Sequence, residues 1–133
     1  MKDIQLFQEI VYIRSHPAII LDQEVLHNKK LSLKSKGLMA ICAAITFPCL
    51  GAISFSDIQS LCKEGRDSLY SIVNECIKNG YAIRIRERQS DGKISRVFLW
   101  MSDTQRGIQE VIKDIHIANY EGRSNREIIQ LNK

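Results

Sequence analysis

The chain has only 2 prolines and 7 glycines in 133 residues, too few for a collagen-like or low-complexity segment. No apolar run approaches the ~18 residues that a membrane span needs. Residues 1–5, Met1-Lys2-Asp3-Ile4-Gln5, carry no apolar stretch of the secretory kind. A cytoplasmic protein with no membrane partner is expected. Close cysteine pairs are missing as well. Cys42, Cys49, Cys62 and Cys76 form no C-x-x-C, and His16, His27 and His116 lie far from them, so no metal site is expected. Cys42, Cys62 and Cys76 fall in apolar helical registers and read as small, reduced, buried hydrophobes. Cys49 follows Pro48 in a loop, with nothing nearby to lower its pKa. The phosphate-binding G-x-x-x-x-G-K-[ST], the nucleophile elbow G-x-S-x-G and the zinc motif H-E-x-x-H are all missing. A non-enzymatic protein without a cofactor is expected.

What is present is material for one core. Hydrophobic residues make up 44% and charged residues 26%, enough to fold one domain without disulfides. Residues 6–13 are β-branched and aromatic and read as a strand. Residues 22–26 read as one helical turn capped by Asp22. Residues 32–45 read as a helix capped by Ser32, with Leu38, Ile41, Cys42 and Ile45 on one face, stopped by Pro48 and Gly51. Residues 52–55 suggest a short strand. Ser56 is expected to cap a short helix bearing Ile58, Leu61 and Cys62, with Asp57 in its first turn and Gly65 as its breaker. Residues 66–79 carry Leu69, Ile72, Val73, Cys76 and Ile77 as the next apolar stripe, stopped by Asn79-Gly80. Residues 81–88 alternate apolar and polar, Ser90-Asp91-Gly92-Lys93 signals a hairpin, and residues 94–101 return.

Helix, short strand, helix, helix, strand, turn, strand is the order of a winged helix-turn-helix. The expected class is α+β: a three-helix core plus a β-hairpin wing over residues 31–103. An N-terminal extension over 1–30 would pack on that core, and a helix and tail would follow over 104–133. In that last part, Ile108, Val111, Ile112 and Ile115 form one apolar face that something must cover. The chain's own N-terminal segment is one cover; a symmetric homodimer through this seam is the other. From Gly122 the tail reads as loosely ordered, although Ile128, Ile129 and Leu131 are apolar enough to dock.

The charge is unevenly placed. Lys and Arg number 19 against 15 Asp and Glu, a net +4. Residues 1–30 and 102–133 are each neutral, so the whole excess lies in residues 31–101. Arg84, Arg86 and Arg88 share one face of a strand by its period of two, facing outward if Ile83 and Ile85 face the core. Such a row suits a phosphate backbone, which guanidinium groups bind with paired hydrogen bonds. A solvated strand face with no partner is the alternative. On the helix over 66–79, Ser68, Ser71 and Asn74 are placed to meet base edges or phosphates, with Lys63 and Arg66 at its entrance and Lys78 at its end. Lys93 and Arg96 complete the basic set on the hairpin.

Two stretches resemble a known family. Leu31-Ser32-Leu33-Lys34-Ser35-Lys36-Gly37-Leu38 is similar to the LSxKAKGL opening of phage- and plasmid-type helix-turn-helix proteins related to DnaD-like replication initiators. Lys63-Glu64-Gly65-Arg66-Asp67-Ser68-Leu69 and Cys76-Ile77-Lys78-Asn79-Gly80-Tyr81 resemble a second stretch of the same family. The resemblance spans about residues 20–101. It implies a winged helix used in replication initiation, DNA binding or protein assembly. The expected function is therefore duplex-DNA binding in transcription regulation, or in replication or maintenance of a mobile element, with replication or transcription proteins as further partners. A protein-interaction module is the alternative, which the acids Asp67 and Glu75 on the helix over 66–79 favour.

Overall fold

The computed structural model describes residues 18–46 and 50–129. The expected strand over 6–13, His16, Pro48, Cys49 and Leu131 lie outside the described residues. The described chain is mixed α+β, in the order α1 (Gln23–His27), α2 (Leu33–Ile45), β1 (Ala52–Ile53), α3 (Phe55–Ser60), α4 (Arg66–Lys78), β2 (Ala82–Arg88), β3 (Ile94–Met101), α5 (Gln105–Tyr120) and β4 (Arg126–Ile129). No helix among the described residues is long and apolar enough to cross a membrane.

Local chemistry sets most boundaries. The side chains of Asp22, Ser32 and Thr104 accept hydrogen bonds from the free N–H groups of the first turns of α1, α2 and α5. The cap of α3 is Ser54 rather than Ser56, because Ser54 Oγ accepts from Asp57 N–H and Phe55 already belongs to the helix. At the end of α4, Tyr81 N–H donates to Cys76 O and Gly80 N–H to Ile77 O. That pairing requires Gly80 at φ +88°, a conformation that side chains disfavour.

The strands form one antiparallel sheet in the order β1-β3-β2-β4. Register places Ala82, Leu99, Met101 and Ile53 on one face. These residues join Leu38, Met39, Cys42, Ile58, Leu69, Val73 and Cys76 in the larger core, between the sheet and helices α2–α4. Val25, Leu31 and the partly buried Leu21 close its edge, so part of the N-terminal extension belongs to that core. Burial pushes the Cys42 thiol up to about 12 and the Cys76 thiol up to about 11.

The opposite face carries Ile83, Ile85, Phe98, Trp100 and Ile128, and α5 lies on it through Ile108 and Ile115, with Val111 and Ile112 partly buried beside them. The apolar stripe of α5 is therefore covered by the sheet of its own chain. Ile108 and Ile115 need neither an N-terminal strand nor a dimer seam to cover them, while Val111 and Ile112 stay partly exposed and are what a dimer seam would have left to cover. The tail is also ordered further than expected. Residues Arg126–Ile129 pair with β2, Arg84 opposite Ile129 and Glu87 opposite Arg126, so β4 forms an edge of the sheet. Asn119 fixes the turn before it, with its side-chain amide donating to Arg126 O at 2.7 Å and its Oδ1 accepting from Arg126 N–H at 3.1 Å.

Two carboxylates reach across elements to unpaired helix N–H groups. Glu24 of α1 accepts from Gln105 N–H at the start of α5 at 2.8 Å, and Glu75 of α4 accepts from Ser32 N–H at the start of α2. Each places negative charge at the positive end of a helix.

Because Ile115 is 4% exposed between α5 and the sheet, Ile115→Ala should lower unfolding free energy by about 2–5 kcal/mol in urea titrations. Ile112→Glu should lower the melting temperature equally at low and high protein concentration. A melting temperature that rises with concentration only in the wild type would restore the dimer seam.

Candidate nucleic-acid interface

The basic residues of the central block are divided by the sheet. Arg84, Arg86 and Arg88 lie on the face that helices α2–α4 cover only at its Ala82 end. All three are half-buried rather than outward in solvent. Arg96 lies on the other face with Glu87, so it is not part of the same row.

The arginine row is not a bare ladder of like charges, because β4 brings Glu127 opposite Arg86. Glu127 pairs closely with Arg88 Nε and stands 4.0 Å from Arg86 Nε, while Arg88 also donates to Gly92 O at 2.8 Å. The Arg88 hydrogen bond holds the Glu127 carboxyl below the usual carboxylate range. On the opposite face Glu87 accepts from Arg126 Nε at 2.8 Å and Arg96 Nε at 3.3 Å. Those two hydrogen bonds, that of Arg126 first, hold Glu87 low as well. Arg96 lies 4.3 Å and Arg126 5.9 Å from the Phe98 ring centroid. Among the described residues, two carboxylates thus serve four arginines, and this end of the sheet keeps a positive excess.

Arg84 has a different partner. Its guanidinium lies 5.4 Å from the ring centroid of Tyr70 on α4, and the guanidinium of Arg66 lies at the same distance. Tyr70 also stacks on Phe55 of α3, with centroids 4.2 Å apart and planes 14° from parallel. Tyr70 is an outward residue of the helix that was not among the expected DNA contacts. Its signal was its spacing: it stands four residues after Arg66 on the same side of the helix, the side turned toward the hairpin. Arg84 Nη2, Arg86 Nε and Asn74 Oδ1 are buried without a hydrogen-bond partner among the described residues.

The expected base-reading residues are elsewhere. Asn74 is half-buried and its Oδ1 is sequestered, so it does not project from α4. Ser68 and Ser71 are exposed, but they line a groove with Ser32, Lys34, Glu64, Asp67 and Glu75 that is acidic on balance. Glu75 faces the start of α2, and the Ser32 N–H holds its carboxyl below the usual range. Lys63, Lys78 and Lys93 are exposed on loop, helix end and hairpin turn. The structure brings together Arg66 and Arg84 at Tyr70, with Arg86 and Arg88 next along β2. It does not add Ser68, Ser71 or Arg96 to them.

Comparison with known proteins gives no matching family model, no significantly similar curated protein and no significantly similar solved structure.

The Glu87 pairing has a pH signature. A carboxylate held below its unfolded pKa stabilises the fold above that unfolded value, and loses this contribution as pH falls through the folded value. Wild type should therefore exceed Glu87→Gln in melting temperature near pH 7, and the gap should close on acidification below the ordinary carboxylate range. A gap that stays constant down to strongly acidic pH would show that Glu87 contributes only through shape.

Proposed function

We propose that the chain is a non-enzymatic winged-helix protein that binds DNA. It would act in transcription regulation, or in replication or maintenance of a phage or plasmid. The element order supports a winged helix: α2, β1, α3 and α4 precede a β2–β3 hairpin, and β1 pairs with the returning strand β3. On that reading α4 stands at the position of the recognition helix and the hairpin is the wing. The observation that carries the DNA reading is the cationic row from Arg66 through Arg84 to Arg86 and Arg88, for which Glu127 is the one carboxylate partner among the described residues. The half-buried guanidinium groups of Arg84, Arg86 and Arg88 lose little side-chain freedom on meeting a phosphate, and each offers a planar fork to it. The likeness of residues 31–38 and 63–69 to phage and plasmid helix-turn-helix proteins supports the biological setting.

A second reading has its own observation. The groove between α2 and α4 carries Glu64, Asp67 and Glu75 beside Lys34, which suits a basic protein segment and repels a DNA backbone. The winged helix would then be an interaction module, with replication or transcription proteins as its partners.

Affinity for random-sequence DNA separates the two. Phosphate contact makes log affinity fall linearly with log salt, by about 0.9 per neutralised phosphate on duplex and about 0.7 on single strands. Arg86→Ala should weaken binding on all sequences alike and reduce that slope by about one contact. Glu127→Gln, which releases Arg86 and Arg88, should tighten it. Absence of binding at low salt would leave the interaction module as the reading.

A further inference from the structure

We propose that the cleft between α4 and the hairpin receives one unpaired base of a DNA strand, so that the ligand of this surface is single-stranded rather than closed duplex. This rests on the DNA reading above and specifies which form of DNA the site takes.

The cleft is lined by Phe55, Tyr70, Arg84, Val97, Phe98 and Leu99 and has a volume of about 200 Å³. Pockets for drug-sized ligands run to about 300–1,000 Å³, so this one suits a single planar ring system. Its walls match the faces of a base. One face of Tyr70 is stacked on Phe55 and the guanidinium groups of Arg66 and Arg84 lie over the ring, so a base reaches it by taking the place of the exposed Arg66, with Val97, 49% exposed, as an apolar rim. Unstacked bases bind proteins by lying on aromatic rings and arginine planes, while bases inside a duplex have both faces covered by their neighbours. Arg84 Nη2 adds a buried donor with no partner among the described residues, a group that a base edge or phosphate satisfies. From the cleft, Arg86 and Arg88 continue along β2 on the same face, which gives the adjoining phosphates a cationic track.

The outer surface of α4 argues the same way. A helix that enters a major groove needs base-reading groups pointing away from its own core. Here the Asn74 Oδ1 is buried, Ser68 and Ser71 border the acidic groove, and Arg66 and Tyr70 lie on the hairpin side with Arg84.

The test uses the full chain and fluorescence anisotropy at fixed salt. Its probes are a labelled 12-nucleotide strand, the blunt duplex of that strand, and the same strand with its bases replaced by abasic units. The single strand should bind more tightly than the duplex, and the abasic strand should bind about 5- to 150-fold more weakly than the intact one despite equal phosphate charge. Tyr70→Leu should reproduce that loss on the intact strand, weaken the abasic strand by a clearly smaller factor because Arg66 and Arg84 lose only the ring beneath them, and retain the wild-type circular dichroism. Because the abasic comparison needs no variant, it stands even if Tyr70→Leu unfolds. Equal binding of intact and abasic strands, or a duplex that binds as tightly as the strand, overturns the cleft proposal and leaves DNA binding in place. Failure of every probe to bind at low salt overturns both.

Discussion

β2 is hydrogen-bonded to β3 along one edge and to β4 along the other, so its side chains lie at the centre of both faces of the sheet. Successive residues point to opposite faces. Ile83 and Ile85 draw α5 onto one face, while Ala82 leaves room for the core of α2–α4 on the other. Beyond Ala82 that second cover thins to Leu99 and the Tyr70 ring at Arg84, and the next three β2 positions on the face are arginines. The transition from apolar core to charged row therefore happens within a few residues of one strand. It places guanidinium groups beside a helix that is already packed.

Such a row is costly to build unless its charge is met. Like charges on one strand face repel, and half-burial removes some of the water that would screen them. Three kinds of partner share the work here: the Glu127 carboxylate, the Tyr70 ring and the carbonyl of Gly92. The compensation remains incomplete, since one carboxylate faces Arg86 and Arg88 together. The incompleteness distinguishes this face from the other, where Glu87 sits between Arg96 and Arg126 and Phe98 lies under both guanidinium groups.

The parts of this arrangement that were legible in the sequence are those that local chemistry fixes. Ser32, Asp22 and Thr104 stand at their helix starts, Asn79-Gly80 at the end of α4, and Asp91-Gly92 at the hairpin, because caps and tight turns are decided by a few neighbouring residues. Even there a choice between two serines, Ser54 and Ser56, went to the one followed by Phe55, whose ring reaches Tyr70. The strand β4 was not legible: two charged residues followed by two isoleucines are too short to show a strand period, and they acquire their structure from the free edge of β2, far away in sequence. With β4 hidden, Glu127 was hidden too, and the arginines read as more exposed than they are. The stripe on α5 was read correctly as apolar. What covers it, the back of the sheet, is a long-range pairing that a helical period alone does not reveal.

The two buried thiols have a practical consequence. Cys42 sits on α2 and Cys76 on α4, inside the same core, with pKa values near 12 and 11. Alkylating reagents attack the thiolate, so at neutral pH both groups are protected by protonation as well as by packing. Either becomes reactive only when α2 and α4 part from the sheet. Cys42 and Cys76, unlike the partly exposed Cys62, are thus a clock for that separation: their alkylation rate, followed site by site in mass spectrometry, reports how often the helical half of the molecule opens while the described α5 side, which holds no cysteine, goes unrecorded.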